Sequence, residues 1–310
     1  MQQFENYYIA HRGLYVKQKE QEKKQEQKQE QKPDQASQPP SDTTEASQSS
    51  FKANTQLIPE NSMQAFKRAV EGGYGIELDV QLTKDRRLVV FHDKTLKRMC
   101  GTDRKIHECT YEELQSYGLA GTQERIPLFI DVLKMVGGRV PLIVEIKEHG
   151  NWKLTTQAAA KHLDWYEKRY GKRKNSEKAE KADKIDEADV TDKYDKALFC
   201  VESFHPGVVA WFRAHRRHYL RGQLSSDYMW EKVNNKWSSR FIVSNLLLNW
   251  AGRPDFIAYN CLYADQFSYR LIRSLFRTEH VAWTVKSQEQ LDSLRRIYQI
   301  YIFEGFIPEE

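Results

Sequence analysis

Nine short apolar runs, most of them separated by helix-like stretches, constrain this chain more than any other feature. The runs are Tyr7–Ala10, Ile76–Val80, Leu88–Phe91, Pro141–Ile146, Leu198–Val201, Tyr219–Leu224, Phe256–Tyr259, Val281–Val285 and Ile300–Phe303. The helix-like stretches are Asn61–Val70, Pro127–Val136, Trp152–Tyr166, Pro206–His215, Ala264–Phe276 and Gln288–Ile297. Asn61 reads as the N-cap of the first, and Gly72-Gly73 as its stop. Alternating strands and helices predict a parallel sheet wrapped by helices. One strand must differ. Leu88 follows Val80 after only Gln81–Arg87, whereas a parallel neighbour needs a crossover of roughly a dozen residues. Leu88–Phe91 is therefore expected to return antiparallel, as the second arm of a hairpin. That places Asp79 about opposite His92, within the one-residue shift that a bulge allows. Eight parallel strands remain, the number of a closed (β/α)8 TIM barrel, an α/β fold.

Not all of the 310 residues serve such a fold. From Lys17 to Lys32 every residue is Lys, Gln or Glu, and Pro33–Ser50 is rich in Ser, Thr, Pro and Gln. Neither stretch has an apolar face whose burial could offset its ordering entropy. The first reads as a solvated helix and the second as a disordered linker. Between Glu167 and Lys196, 19 of 30 residues are charged, which reads as a fraying extension of the helix that starts near Trp152. The expected organisation is one barrel domain over 1–310, with a low-complexity insert at 17–54 and a charged insert at about 171–196. Without the inserts about 245 residues remain, close to the roughly 250 of a typical barrel.

Composition narrows the setting. Four widely spaced cysteines with no CxxC pair argue against a disulfide scaffold and a cysteine zinc site. Apolar runs far below the roughly 20 residues of a membrane span predict no integral membrane segment. The start MQQFENYYIAHRG lacks a basic stretch followed by an apolar one, so a cytoplasmic location is expected. A net charge of +5 suits anionic substrates without requiring nucleic acid. The basic run His215–His218 falls at a predicted helix end, where cations are favoured anyway. Neither nucleic acid nor a metal is expected there.

Four polar groups fall at C-terminal strand ends, where barrels keep their active sites. His11-Arg12-Gly13 follows the first strand. Glu77 and Asp79 share one face of the second, because strand side chains repeat every two residues. His92-Asp93 ends the returning arm, and Glu145 and Lys147 share a face of the next strand. The carboxylates Glu77, Asp79 and Glu145 are hard oxygen ligands suited to Ca²⁺ or Mg²⁺. Crowded without a cation, they would repel and their pKa values would rise. His11 and His92 supply an acid and a base near neutral pH. Arg12 can hold a phosphate by its planar fork and Lys147 as a point charge. The set fits metal-assisted displacement at phosphorus. Plainer readings exist for each part. Glu77 and Asp79 also describe a strand with one solvent face, with Ile76, Leu78 and Val80 toward the core. Glu145 and Lys147 also describe an ordinary ion pair. Convergence of four strand ends on one reaction favours the catalytic reading.

The order of motifs is IAHRG (9–13), PENSMQAF (59–66), IELDVQLTKD (76–85), LVVFHD (88–93), IP (126–127) and VEIK (144–147), then SF (203–204), RGQLS (221–225) and AWTV (282–285). In this order the chain resembles the glycerophosphodiester phosphodiesterase family, from residue 4 to about 305. The resemblance implies a (β/α)8 barrel that hydrolyses glycerophosphodiesters, such as deacylated phospholipids, to glycerol 3-phosphate and an alcohol. It implies His11 and His92 as acid and base, and Glu77, Asp79 and Glu145 as ligands of a divalent cation, Ca²⁺ or Mg²⁺. It also implies Arg12 and Lys147 at the phosphate, with Trp283 lining the pocket, although Trp283 reads equally as a core aromatic. The implied partner is a small-molecule glycerophosphodiester.

Three departures from the family pattern stand out. Forty-five residues separate Gly13 from Pro59, where the family has a short loop. This is read as a solvated excursion, since loop entropy grows slowly with length. Arg86 follows Asp85 where Gly is usual, so the hairpin turn is expected to avoid a Gly-only geometry. The ending IYIFEGFIPEE is unusual and bears on C-terminal substrate contacts. Two rival functions fit the same scaffold. One is a lysophospholipase D, with Trp250, Trp283 and the Tyr-rich strands lining an acyl entrance. The other is a non-catalytic binding or scaffold barrel whose charged inserts are the working parts.

Overall fold

A computed structural model of the chain describes residue 4 and residues 7–17, 57–171, 197–227, 241, 244–276 and 278–309. Nearly all of the 17–54 and 171–196 inserts, with the solvated helix and linker expected there, lie outside the described residues. The strands are β1 Tyr8–Ala10, β2 Gly75–Leu82, β3 Leu88–Val90, β4 Leu142–Ile146, β5 Phe199–Ser203, β6 Arg221–Ser225, β7 Phe256–Asn260, β8 Glu279–Val285 and β9 Ile300–Phe303. The connecting helices are α1 Met63–Glu71, α2 Phe129–Val136, α3 Trp152–Tyr166, α4 Pro206–His215, α5 Asn249–Gly252, α6 Phe267–Leu275 and α7 Gln288–Leu294. Eight strands run parallel in the order β1-β9-β8-β7-β6-β5-β4-β2, and β1 pairs with β2 to close the barrel. β3 alone is antiparallel, attached to β2. The nine strands and the hairpin match the sequence reading.

Two local expectations change, and the placing of Asp79 opposite His92 holds to within its one-residue allowance. Val80 pairs with Val90, and Phe91 N donates to Asp79 O at 2.9 Å. Asp79 thus stands opposite Phe91, one residue from His92. The turn enters the left-handed region at Arg86 (φ 60°), contrary to expectation. Thr83 stabilises it: its hydroxyl donates to Asp85 Oδ1 (2.6 Å) and accepts from Arg87 N (2.8 Å). The cap of α1 is Ser62, whose Oγ accepts from Ala65 N at 3.1 Å, and not Asn61. Asn61 sits at φ 54° and sends its side chain elsewhere.

The strands separate two apolar layers. Ile76, Leu78 and Val80 join Val144, Ile146, Phe66 and Leu133 in the layer between barrel and helices. Ile9, Ile143, Cys200, Phe256, Val281 and Ile302 fill the barrel's interior. Alternation therefore turns Glu77 and Asp79 inward. All eight residues of β2 are buried, so the reading of Glu77 and Asp79 as a solvent face does not hold.

The segment after β3 builds a satellite core from Val89, Phe91, Leu96, Met99, Ile106, Leu114 and Ile126. Its helical turns, such as Lys97–Cys100 and Tyr111–Leu114, are four residues long. That is too short to show a helical period, which is why the sequence pattern passed over them. α5 escaped for the same reason. Among the described residues no helix is long and apolar enough to cross a membrane.

At the ends of the first insert, Val16 and Ile58 form an antiparallel bridge. The chain leaves and re-enters the fold at one point.

Gly222 of β6 pairs with Phe256 in the barrel interior, and a Cβ there would stand 2.1 Å from the Phe256 ring. Gly222→Ala is expected to cost about 1–3 kcal/mol through overpacking. An unchanged urea midpoint would show that Phe256 has room to move.

Candidate active site

The turn after β1 sets the geometry. His11 N donates to Phe303 O at 2.9 Å, carrying β1 past its strand end. Arg12 (φ 54°) and Gly13 (φ 80°) then turn left-handed. A Cβ at Gly13 would lie 2.9 Å from the Ala65 backbone, so glycine lets the turn sit against α1. The turn aims Arg12 N at Glu77 Oε2 (3.0 Å). It also brings the guanidinium to Glu60 Oε1 (2.6 Å) and to Asp79 Oδ2 (3.5 Å). Burial disfavours the Arg12 charge, but Asp79, Glu60 and Glu77 outweigh it and hold the group above its ordinary pKa.

Glu77, Asp79 and Glu145 come together as the sequence predicts. Each offers an oxygen, and these oxygens lie within 4.8 Å of one another. All three residues are buried. Lys147 Nζ lies 2.9 Å from Asp79 Oδ1 and 2.7 Å from Glu145 Oε1. The Glu145–Lys147 pair is thus an ion pair, placed inside the cluster. Burial opposes ionisation of Asp79, yet Lys147, His92 and Arg12 hold it well below the usual carboxylate range. Glu77 is pushed well up, by burial first and then by Asp79 and Glu145. Glu145 is also raised by burial, against Lys147. Carboxylates forced toward protonation by mutual repulsion are a donor set that a hard divalent cation fits.

Two histidines flank the cluster, and each gives its Nδ1 to a carboxylate. His11 Nδ1 lies 2.8 Å from Glu304 Oε2, and its Nε2 is 3.9 Å from Glu77 Oε2. His92 Nδ1 lies 2.7 Å from Asp93 Oδ1. An ionised carboxylate only accepts, so each Nδ1 carries the proton and each Nε2 is left for chemistry. Glu304 is held low against burial by His11 and by the Tyr15 hydroxyl, which donates at 2.7 Å. Burial first, then Arg12, lowers the His11 pKa below 6.5, against the hydrogen bond to Glu304. Arg98 clamps Asp93 from Nε and Nη2 (2.7 and 3.0 Å) and also reaches Glu60 (2.8 and 2.7 Å). A continuous chain of ion pairs therefore links His92 to Arg12.

The glycerophosphoryl diester phosphodiesterase family matches residues 52–303. The chain belongs to this family. The matched span opens after β1, so His11 and Arg12 precede it. A glycerophosphodiester phosphodiesterase of Caldanaerobacter subterraneus is 40% identical over 104 residues, 31% of this chain and 43% of that protein. A lysophospholipase D of Homo sapiens is 35% identical over 105 residues, 30% of this chain and 33% of that protein. The alignments span less than half the length of these curated relatives. A phosphodiesterase of Oleispira antarctica, solved with the product sn-glycerol-3-phosphate, has a TM-score of 0.60 at 17% identity, over 96% of this chain and 92% of that one. A glycerophosphodiester phosphodiesterase of Thermotoga maritima has a TM-score of 0.53 at 22% identity, over 79% and 88%. These two structures share the barrel fold with the chain.

Beside the predicted set, this family member carries residues that the sequence reading passed over. Asn61 Nδ2 donates to Asp79 Oδ2 at 2.7 Å, which explains its strained backbone. Glu60 joins Arg12 to Arg98. The signal for both lay in the PEN motif, where Asn was read as a cap. Glu304 lies in the ending that departs from the family pattern. Glu202 is buried beside Glu145, and burial, then Glu145 and Asp79, push its carboxyl well up. Trp283 is half-buried, packed edge-on against Phe204 at 5.6 Å. Trp250 is 74% exposed and lies on α5, near the N-terminal end of β6, where Arg221 donates to Gly252 O and Arg253 O. It cannot line an entrance at the other rim.

Lys147→Met leaves Asp79 and Glu145 buried without their cation, a change expected to cost about 3–5 kcal/mol. Added Ca²⁺ or Mg²⁺ should raise the melting temperature of the variant more than that of the wild type. An equal response in both proteins would mean that Lys147 does not neutralise a cation site.

Proposed function

We propose that the protein is a divalent-cation-dependent phosphodiesterase that hydrolyses glycerophosphodiesters to glycerol 3-phosphate and an alcohol. The observation that carries this reading is the meeting of three buried carboxylates with two histidines whose Nδ1 atoms are already engaged. Family membership supports the reaction class. Glu77, Asp79 and Glu145 would hold Ca²⁺ or Mg²⁺, which supplies Lewis-acid neutralisation of phosphate oxygens when bound.

The chain's own residues then divide the work. Arg12, fixed by Glu60 and Asp79, presents its fork to the phosphate, and Lys147 adds a charge. His11 is kept neutral near pH 7 by its lowered pKa and takes the proton from the attacking hydroxyl at Nε2. The attacker is water, or the substrate's glycerol 2-hydroxyl, whose cyclic phosphate a water then opens to glycerol 3-phosphate. As the new P–O bond forms, the ester bond breaks and His92, carrying a proton on each ring nitrogen, gives the one on Nε2 to the leaving alkoxide. Asp93, held by Arg98, keeps that ring oriented.

A second reading, a lysophospholipase D, is favoured by one feature. Leu262 (70% exposed) and Phe267 (78% exposed) form an apolar rim beyond β7. They border a cavity of about 390 Å³ that Asp227, Tyr263, Asp265 and Gln266 also line. Such a rim suits an acyl chain.

Glycerol 3-phosphate release from glycerophosphocholine, compared with hydrolysis of a lysophospholipid, separates the two readings. Chelator should abolish release and Ca²⁺ or Mg²⁺ restore it. His11→Ala and His92→Ala should each lose about 10²- to 10⁴-fold in kcat. Wild-type turnover in either variant would sink the assignment.

The pH profile tests the base. Because the His11 pKa is lowered, the acid limb of kcat/KM should lie below pH 6.5. Glu304 favours the charged ring, so Glu304→Gln should move that limb to lower pH and reduce kcat. A limb that moves upward would exclude His11 as the base.

A further inference from the structure

Glu202 has no part in the chemistry described so far, yet it reaches the same interior. It pairs with Glu145 in parallel register and lies on the face of β5 that carries Cys200 into the barrel. It is 2% exposed, and its Oε2 is buried with no hydrogen-bond partner among the described residues. Lys147, the cation at this end of β4, is committed to Asp79 and Glu145. Glu202 is also absent from the group of carboxylates whose oxygens gather within 4.8 Å. It is close enough to Glu145 and Asp79 to be influenced by both, but stands outside their cluster.

Its position is fixed from behind. Ser203 Oγ donates to Ile146 O at 2.7 Å and ties β5 to β4. Gln223 Nε2 donates to Ser203 O and Phe204 O at 3.1 and 3.2 Å. A rigid, buried and unpartnered carboxyl oxygen is costly to the free protein, and a ligand that satisfies it recovers that cost on binding. A hydroxyl does so. A site built around a substrate hydroxyl rejects an analogue that lacks one, because its own polar group is then left unpaired.

We propose that Glu202 is a specificity-determining residue whose free carboxyl oxygen binds a hydroxyl of the substrate's glycerol moiety, selecting polyol phosphodiesters over diesters of simple alcohols. This rests on the phosphodiesterase reading of the site.

The test compares glycerol 3-phosphate with n-propyl phosphate, which has the same carbon chain and no hydroxyl. Calorimetric titration of the Ca²⁺-equilibrated protein should give glycerol 3-phosphate a preference of roughly tenfold or more. Glu202→Leu should abolish that preference while leaving n-propyl phosphate affinity unchanged. Glu202→Gln, which keeps shape and hydrogen bonding, should retain part of it. In turnover, Glu202→Leu should raise KM for glycerophosphocholine and leave bis(p-nitrophenyl) phosphate unaffected. Equal binding of the two phosphates by the wild type would overturn the proposal, as would equal losses for both in the variant. A fall in Ca²⁺ affinity in Glu202→Leu would also overturn it, by making Glu202 a cation ligand. Failure of the phosphodiesterase reading would appear separately, as a wild type that hydrolyses no diester, because the binding comparison needs no turnover.

Discussion

One buried ammonium group holds the mouth of this barrel together. Lys147 divides its charge between Asp79 of β2 and Glu145 of β4, neighbouring strands that would otherwise press two carboxylates against each other in a dry interior. The cluster keeps more negative charge than one lysine can neutralise. Glu77 and Glu145 are raised while Asp79 alone is held low. That imbalance makes the site receptive to a divalent cation. It also makes it intolerant of changes at Lys147, since a buried charge without a partner costs more than the pair is worth.

Around that centre the two histidines are oriented by similar means from opposite sides of the chain. Glu304 closes the sequence's last strand and supports a ring from the first, while Asp93 supports its own neighbour and is itself gripped by Arg98. The Arg98–Glu60–Arg12 relay makes the second arrangement continuous with the turn after β1. Ion pairs therefore hold both rings in fixed orientations, the kind of positioning that catalysis by orientation draws on.

The strand count, the odd antiparallel arm and the inward-facing Glu77, Asp79 and Glu145 were legible because each rests on a local rule: crossover length or two-residue alternation. Asn61 was misread as a cap because Asn is a good N-cap residue, and nothing local shows that its side chain reaches Asp79 across 18 positions. Glu304 and Glu202 were invisible for a related reason. The partner of Glu304 lies 293 residues away, and Glu202 stands beside Glu145 only through the pairing of two strands. Short helical turns such as Tyr111–Leu114 leave no period to read. What the sequence displayed was every element long enough to repeat. What it concealed were contacts that exist only once the barrel closes.

The bridge between Val16 and Ile58 has a consequence for the growth of this protein. Because the chain departs and returns through neighbouring residues, the fold beyond the bridge registers only that two ends meet. Sequence can accumulate there, be trimmed, or be exchanged for a foreign domain without moving β1 or α1. Lys17, the first residue past that junction, reaches Glu304 at 3.3 Å. The barrel thus offers a splice point one side chain away from the carboxylate that holds His11, so that new sequence added there begins its history beside the candidate site.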